Sequence, residues 1–288
     1  MSCENKLCDL HVHSTFSDGT YTPTEIVQQA IAIGLSAVAL TDHNTVKGIP
    51  EFLSASKNKP IIAIPGIEMS TDFEGKELHL LGLFLPEDKL GFVDELMRDY
   101  HERKTQSNIN LIESLNKAGY KIQYETILNK NQNGNINRAN IARELVDCGY
   151  VQSVKEAFSS LLSKTAGHYK EPKRIHIWEA IDFLNYIGDI PVLAHPFLNL
   201  SILELDSFLP EAKSHGLIGI ECLYSEYSES TTQLSLKMAE KYHLLPSGGS
   251  DFHGTIKPEI KLGSGKDNLQ IPLEYANNML RKIVFSDK

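Results

Sequence analysis

The chain of 288 residues has little cysteine, no long apolar run and too little positive charge to balance its acids. Its four cysteines, Cys3, Cys8, Cys148 and Cys222, form no Cys-x-x-Cys pair. Neither a zinc knuckle nor a disulfide framework is suggested, and reduced, mostly buried thiols are expected. No apolar stretch approaches the roughly 18 residues of a membrane span, and residues 1–9 lack the basic and apolar regions of a secretory leader. A soluble, cytoplasmic chain without membrane contact is therefore expected. Lys and Arg number 28 against 37 Asp and Glu, a formal net charge of -9. That balance argues against a large nucleic-acid surface and repels phosphorylated ligands unless positive charge is supplied locally, which makes metal ions the first thing to look for. What is present is apolar material, 41% of the residues, enough for one large core or two modest ones and too much for a disordered chain.

Residues 7–12 read as a short apolar strand. Thr22-Pro23-Thr24-Glu25 then combines a capping box with proline at the first helical position, so a helix follows, its Ile26, Val27, Ala30 and Ile31 at helical spacing and Gly34 at its end. Residues 35–40, 61–64 and 78–85 read as further strands. A helical pattern over 92–118 breaks this rhythm, and helical segments at 140–148, 154–162 and 177–186 follow, with the polar tract 129–137 as a loop. Strands resume at 190–194, 217–223 and 244–246, separated by helices near 203–215 and 231–242. About seven strands alternating with helices imply an α/β fold, a (β/α) barrel around a closed parallel sheet. It would occupy residues 1–89 and 174–288, with a helical insertion subdomain at 90–173.

Polar residues suited to chemistry cluster where these strands end. His11 and His13, two apart on a strand, share one face, and Asp18 follows in Ser17-Asp18-Gly19. Thr41-Asp42-His43 ends the next strand, Glu68 lies in Gly66-Ile67-Glu68, and His79 interrupts an apolar run where an unpaired imidazole would cost about 2 kcal/mol. Ala194-His195-Pro196 and Ser250-Asp251-Phe252-His253 complete the series. Each taken alone is compatible with a helix cap, a turn or an ordinary polar face. Six of the 11 histidines at strand ends, together with these carboxylates, point jointly to a site for several metal ions.

This ordered set, D-x-H-x-H-x-x-x-S-D-G, T-D-H, G-x-E, a lone His, A-H-P and S-D-x-H, resembles the PHP family, named for polymerase and histidinol phosphatase. Asp9-Leu10-His11-Val12-His13 through Asp18-Gly19 fits it, and the insertion is similar to that of the family's nucleoside 3′,5′-bisphosphate phosphatase branch. The resemblance implies a distorted seven-stranded barrel of PHP type holding three divalent ions. His11, His13, Glu68 and Asp251 would hold one, Glu68, His79 and His195 a second with Glu68 bridging, and Asp18, His43 and His253 the third. Asp42 would orient His43 or its strand end from behind. Mixed imidazole and carboxylate ligands suit Mn, Fe and Zn alike.

Catalysis is then expected from His11, His13, Asp18, His43, Glu68 and His253, whose ions would share an acidified water as the attacking hydroxide and offset the phosphoryl charge. A nucleophilic Ser or Cys is not required. Substrate contacts are expected from the insertion: Arg103 and Arg138 as forked phosphate donors, with Asn140 and His168. Asn137-Arg138-Ala139-Asn140-Ile141-Ala142 is similar to the family's R-x-H-(I/F)-A segment, with Asn140 in place of His. Tyr227 likewise stands where a His is usual, and Ala166-Gly167-His168-Tyr169 departs from G-K-P-x-Y, leaving Lys164 or His168 to supply charge. The leading expectation is hydrolysis of a phosphate monoester on a small phosphorylated metabolite, with the 3′-phosphate of nucleoside 3′,5′-bisphosphates foremost. Trimming of short RNA from its 5′ end, histidinol-phosphate hydrolysis and a non-catalytic metal- or nucleotide-binding regulator are the alternatives.

Overall fold

The computed structural model describes residues 6–130 and 136–286; Cys3 and most of the loop expected at 129–137 lie outside them. The chain divides into two compact units, Met1–Asp94 with Ile175–Lys288, and Glu95–Arg174.

The first unit is built from β1 (Cys8–Asp9), α1 (Pro23–Ala32), β2 (Ala37–Leu40), α2 (Ile49–Ser56), β3 (Ile62–Phe73) and β4 (Lys76–Leu83), then β5 (Ile175–His176), α7 (Ile177–Tyr186), β6 (Ile190–Leu193), α8 (Ile202–Ser214), β7 (Gly219–Tyr224), α9 (Glu229–Lys241), β8 (Leu245–Gly249) and α10 (Leu273–Ser286). Its strands run in the order β1-β2-β3-β4-β6-β7-β8, with the short β5 beside β3. The seam is closed by backbone bonds from Leu10 N–H to the Gly248 carbonyl (3.2 Å) and His13 N–H to the Phe252 carbonyl (3.0 Å). The result is a nearly closed seven-stranded α/β barrel.

The sheet is mixed where the sequence suggested parallel strands throughout. β3 pairs in parallel with β2 only as far as Leu40↔Pro65, then pairs antiparallel with β4 from Gly66↔Leu83 to Phe73↔Lys76. β4 is also antiparallel to β6. The cause is the two-residue turn Glu74-Gly75, both residues at positive φ (51° and 78°), which joins β3 to β4 as a hairpin where a parallel pair would need a long crossover. Glu68, expected just past the end of a strand, therefore lies inside β3, while His79 lies inside β4, within the apolar stretch where the sequence placed it.

Local signals produce the surrounding helices. Thr22 and Glu25 form the reciprocal cap of α1, which buries Ile26, Val27 and Ala30. Cys8, Leu10, Ala37, Ala39, Ile64, Leu81, Leu83, Ile190 and Val192 form one apolar cluster, into which α10 sends Ala276 and Met279; each fully buried Leu or Ile there contributes about 1.5–3 kcal/mol. Cys222 is also buried, so two of the three described thiols are buried as expected; the third, Cys148, stands just past the last turn of a helix and is exposed.

The second unit contains α3 (Leu90–Lys117) from Glu95 onward, α4 (Tyr124–Lys130), α5 (Arg138–Asp147) and α6 (Val154–Ser160). Leu111, Leu115, Ile127, Ile141, Leu145 and Leu162 form its own core. Among the described residues no helix is long and apolar enough to cross a membrane.

Candidate metal centre

Past β1 the chain stays extended, so His11 and His13 face the same side and are fully buried. The Asp251 N–H donates to the His11 carbonyl (2.9 Å), tying this histidine pair to the end of β8. Gly249 is required by this approach, since a Cβ there would come within 2.1 Å of the His11 Cβ. His43 and Glu68 meet as a parallel bridge, held by Glu68 N–H to the Asp42 carbonyl (3.2 Å) and Asn44 N–H to the Glu68 carbonyl (2.8 Å). Asn44, His195 and Asp251 adopt φ of 55°, 25° and 57°. Non-glycine residues in this region carry a backbone cost, and such strain concentrates at functional sites.

Glu68 stands at the centre. Its Oε2 lies 3.2 Å from His11 Nε2, 3.2 Å from His13 Nε2 and 3.0 Å from His43 Nδ1. Its Oε1 lies 2.7 Å from His79 Nδ1 and 3.0 Å from His195 Nε2. Asp251 Oδ1 faces His13 Nε2 at 3.1 Å and His11 Nε2 at 3.7 Å. Asp18 Oδ1 faces His253 Nε2 at 3.2 Å, and its Oδ2 lies 3.9 Å from His43 Nε2. Donor atoms thus converge in four overlapping groups: His11, His13, Glu68 and Asp251; His13, Asp18, His43 and His253; His43, Glu68 and His79; and His11, His195 and Glu221. All nine residues expected from the sequence to be ligands are brought together.

Among the described residues, His11 Nε2, both His13 ring nitrogens, Asp18 Oδ1, His43 Nδ1 and Glu68 Oε2 are buried without a hydrogen-bond partner. They are close to one another but misdirected for hydrogen bonding. A lone buried polar atom costs about 1–3 kcal/mol, so six in one place need another partner. Imidazole and carboxylate lone pairs aimed inward together are the donor set of a divalent transition metal, and the cluster fits such ions.

The charges support the same arrangement. Burial alone would raise the Glu68 carboxyl, yet the imidazoles of His43, His11 and His79 hold it well below the usual range. Burial would lower His79, but Glu68 outweighs it and pushes the imidazole up to about 10. His13 is lowered by burial and by His253 and His43, which keeps its ring neutral and free to ligate.

A further layer holds these groups. Asp9 accepts from Ser250 N–H (2.9 Å), Ser250 Oγ and Gly263 N–H (2.8 Å), pinning β1 to the loop after β8. Asp42 accepts from Ser14 N–H (2.7 Å) and from Ser14 and Ser17 Oγ (both 2.6 Å). Its carboxylate thereby fixes the turn leading to Asp18. Glu221, Tyr224 and Lys257 were not singled out from the sequence. Glu221 accepts from His11 Nδ1–H (3.1 Å) and His195 N–H (2.8 Å), while Tyr224 Oη and Lys257 Nζ donate to Asp251 Oδ2 at 3.0 and 2.9 Å. The available signal for Glu221 was a carboxylate inside an apolar strand, which must find a partner.

The four residues expected to bind substrate belong to the second unit. The Arg138 guanidinium lies 4.2 Å from the Tyr169 ring centroid and 5.6 Å from that of Phe158, with Nη1 3.4 Å from the Leu162 carbonyl. Asn140 closes a reciprocal cap with Asn137 at the start of α5. His168 Nδ1 pairs with Ser114 Oγ at 2.8 Å, and Arg103 Nε–H donates to the Lys173 carbonyl at 3.1 Å. The side chain of Lys164 lies outside the described ones. In the first unit, Tyr227 Oη accepts from Phe197 N–H (3.0 Å) and steadies the turn after His195.

The PHP domain model matches residues 9–188. The chain is 33% identical over 259 residues to the 5′-3′ exoribonuclease Rnm of Escherichia coli, covering 88% of this chain and 87% of that protein. It is 27% identical over 261 residues to a 3′,5′-nucleoside bisphosphate phosphatase of Chromobacterium violaceum, covering 90% and 91%. A solved structure from Bifidobacterium adolescentis, described as a metal-dependent phosphoesterase, superposes with a TM-score of 0.82 at 26% identity and 96% coverage of both chains. With a buried multi-histidine cluster at the mouth of a seven-stranded barrel, the chain belongs to the PHP family and is a metal-dependent phosphoesterase.

Proposed function

We propose that this hydrolase breaks the bond between the 3′ oxygen and phosphorus of a nucleotide carrying a 5′-phosphate, with nucleoside 3′,5′-bisphosphates as its substrates in the cytoplasm. The observation that carries the reading is the set of six buried, unpartnered ring and carboxylate atoms converging around Glu68. His11, His13, Glu68 and Asp251 would hold one divalent ion, Glu68, His79 and His195 a second, and Asp18, His43 and His253 a third, of Mn, Fe or Zn. Bound there, such ions acidify water and offset phosphoryl charge. The protein's own part is to keep its carboxylates ionised, to gather its imidazoles in one largely buried cluster, and to fix the phosphoryl group against them. Arg138, in the insertion at 90–173, is assigned to the 5′-phosphate, with Arg103, Asn140 and His168 as lesser contributors.

The name of the Chromobacterium violaceum relative supports the bisphosphate. That of the Escherichia coli relative favours a second reading, removal of nucleotides from the 5′ end of short RNA, in which the same 3′ oxygen to phosphorus bond would break. Both can be tested with Mn-loaded enzyme and equal concentrations of adenosine 3′,5′-bisphosphate, adenosine 3′-monophosphate, histidinol phosphate and a 5′-phosphorylated RNA pentamer. The proposal expects phosphate release to be fastest from the bisphosphate. Faster release of mononucleotides from the pentamer would install the second reading, and a preference for either monoester would overturn both.

A further inference from the structure

Strand β7 holds an irregularity that bears on the metal centre. Its register against β8 shifts between Glu221 and Leu223. On a regular strand residues three apart face opposite sides, yet Glu221 and Tyr224 both reach the cluster, Glu221 to His11 and His195, and Tyr224 to Asp251. The register shift accounts for this by turning the end of the strand, as bulges do beside active sites. The two side chains are almost completely buried.

What they grip is informative. A carboxylate only accepts, so Glu221 Oε1 keeps a proton on His11 Nδ1 and makes Nε2, which faces Glu68 and Asp251, the nitrogen that would meet an ion. Its Oε2 takes the backbone N–H of His195, whose φ of 25° needs an outside restraint. One carboxylate therefore ties together residues assigned to two different ions. Tyr224 occupies Asp251 Oδ2, which leaves Oδ1 as the oxygen facing His13 and His11.

We infer that Glu221 and Tyr224 are positioning residues of the metal centre: the bulge in β7 aims both inward, Glu221 setting the His11 tautomer and the His195 backbone, Tyr224 restricting Asp251 to one metal-facing oxygen. The inference rests on the reading of the cluster as a divalent-ion site but not on any choice of substrate.

Mn affinity of the full chain, measured by competition with a fluorescent chelator, tests it in wild type, Glu221→Gln and Tyr224→Phe, alongside the melting temperature of each metal-free protein. A glutamine can accept from His11 Nδ1–H or from His195 N–H, but its amide group then opposes the other donor. Glu221→Gln should weaken the tighter Mn sites by about 10- to 100-fold, and Tyr224→Phe by several-fold, with metal-free melting temperatures close to wild type. Restored turnover at saturating Mn would accompany this. Unchanged Mn affinity in both variants would overturn the inference, as would losses matched by a proportional fall in metal-free stability, which would mark the pair as structural. Failure of wild type itself to bind Mn would instead overturn the reading of the cluster.

Discussion

The barrel and the insertion treat their polar side chains in opposite ways. In the barrel, six ring and carboxylate atoms are buried around Glu68 without a hydrogen-bond partner. In the insertion, Arg138 is stacked on Tyr169, Asn140 completes a helix cap and His168 meets Ser114. Groups that satisfy one another secure a fold, whereas groups left unsatisfied at a cost of kilocalories are kept for something that arrives from outside. The contrast separates the part of the molecule where chemistry is assembled from the part whose polar residues already have internal work.

The most severe test of that separation is Glu68→Ala. Since Glu68 touches five imidazoles, the variant should lose bound metal and at least about a hundredfold in turnover. Elemental analysis with phosphate-release assays decides it; full metal content and full rate would refute the central role of this carboxylate.

Next comes pH. Glu68 pushes His79 up to about 10, so in the metal-free protein that ring carries a proton which a metal ion must displace. Mn binding should release protons, and affinity should rise roughly tenfold per pH unit for each proton displaced, carrying activity upward from pH 5 through neutrality. Calorimetry in buffers of different ionisation enthalpy measures the release. A rate profile highest near pH 5 would contradict it.

Arg138→Ala probes the insertion from the other side. If this guanidinium grips a 5′-phosphate, the variant loses about 2 kcal/mol of transition-state binding on a bisphosphate and almost nothing on a monoester. Equal losses on both, read from kcat/KM at matched metal content, would confine Arg138 to its stack with Tyr169 and Phe158.

The smallest effect concerns a buried carboxyl away from the cluster. Asp189 Oδ1 accepts from Ile190 N–H (2.8 Å), but Oδ2 has no partner, and burial raises the group well above the carboxylate range, against that one bond. The folded state holds this proton more tightly than the unfolded chain does. Wild type should therefore lose stability as pH rises above the ordinary carboxylate value and through the folded-state one. Asp189→Asn should lack this loss and melt higher by about 1 kcal/mol of stability at pH 7. Denaturant titrations of both proteins between pH 4 and pH 8 give the comparison, and parallel curves would refute it.

Much of this was legible from residues alone. The spacing of His11, His13, Asp251 and His253, and their positions at the ends of apolar strands, pointed jointly to a site for several metal ions, whereas the assignment of each residue to an ion came from the family resemblance. Strand direction was less legible: residues 61–64 and 78–85 announce apolar strands but not which way they run, and the Glu74-Gly75 turn was the overlooked clue. Glu221 escaped for a different reason. A carboxylate that orients ligands has no spacing rule of its own, and the irregularity that turns Tyr224 inward exists only in pairing with β8.

The seam of the barrel also sets an order of assembly. Its closing contacts join residues 8–13 to residues 248–252 and 271, and the converging donor residues range from His11 to His253. On a ribosome the amino-terminal histidines would emerge long before their partners, so a nascent chain holds only fragments of the pocket and cannot retain a divalent ion tightly. Metal held by this whole set would be taken up only once nearly the whole barrel has been synthesised, and contacts between such distant segments are of the kind that slow folding.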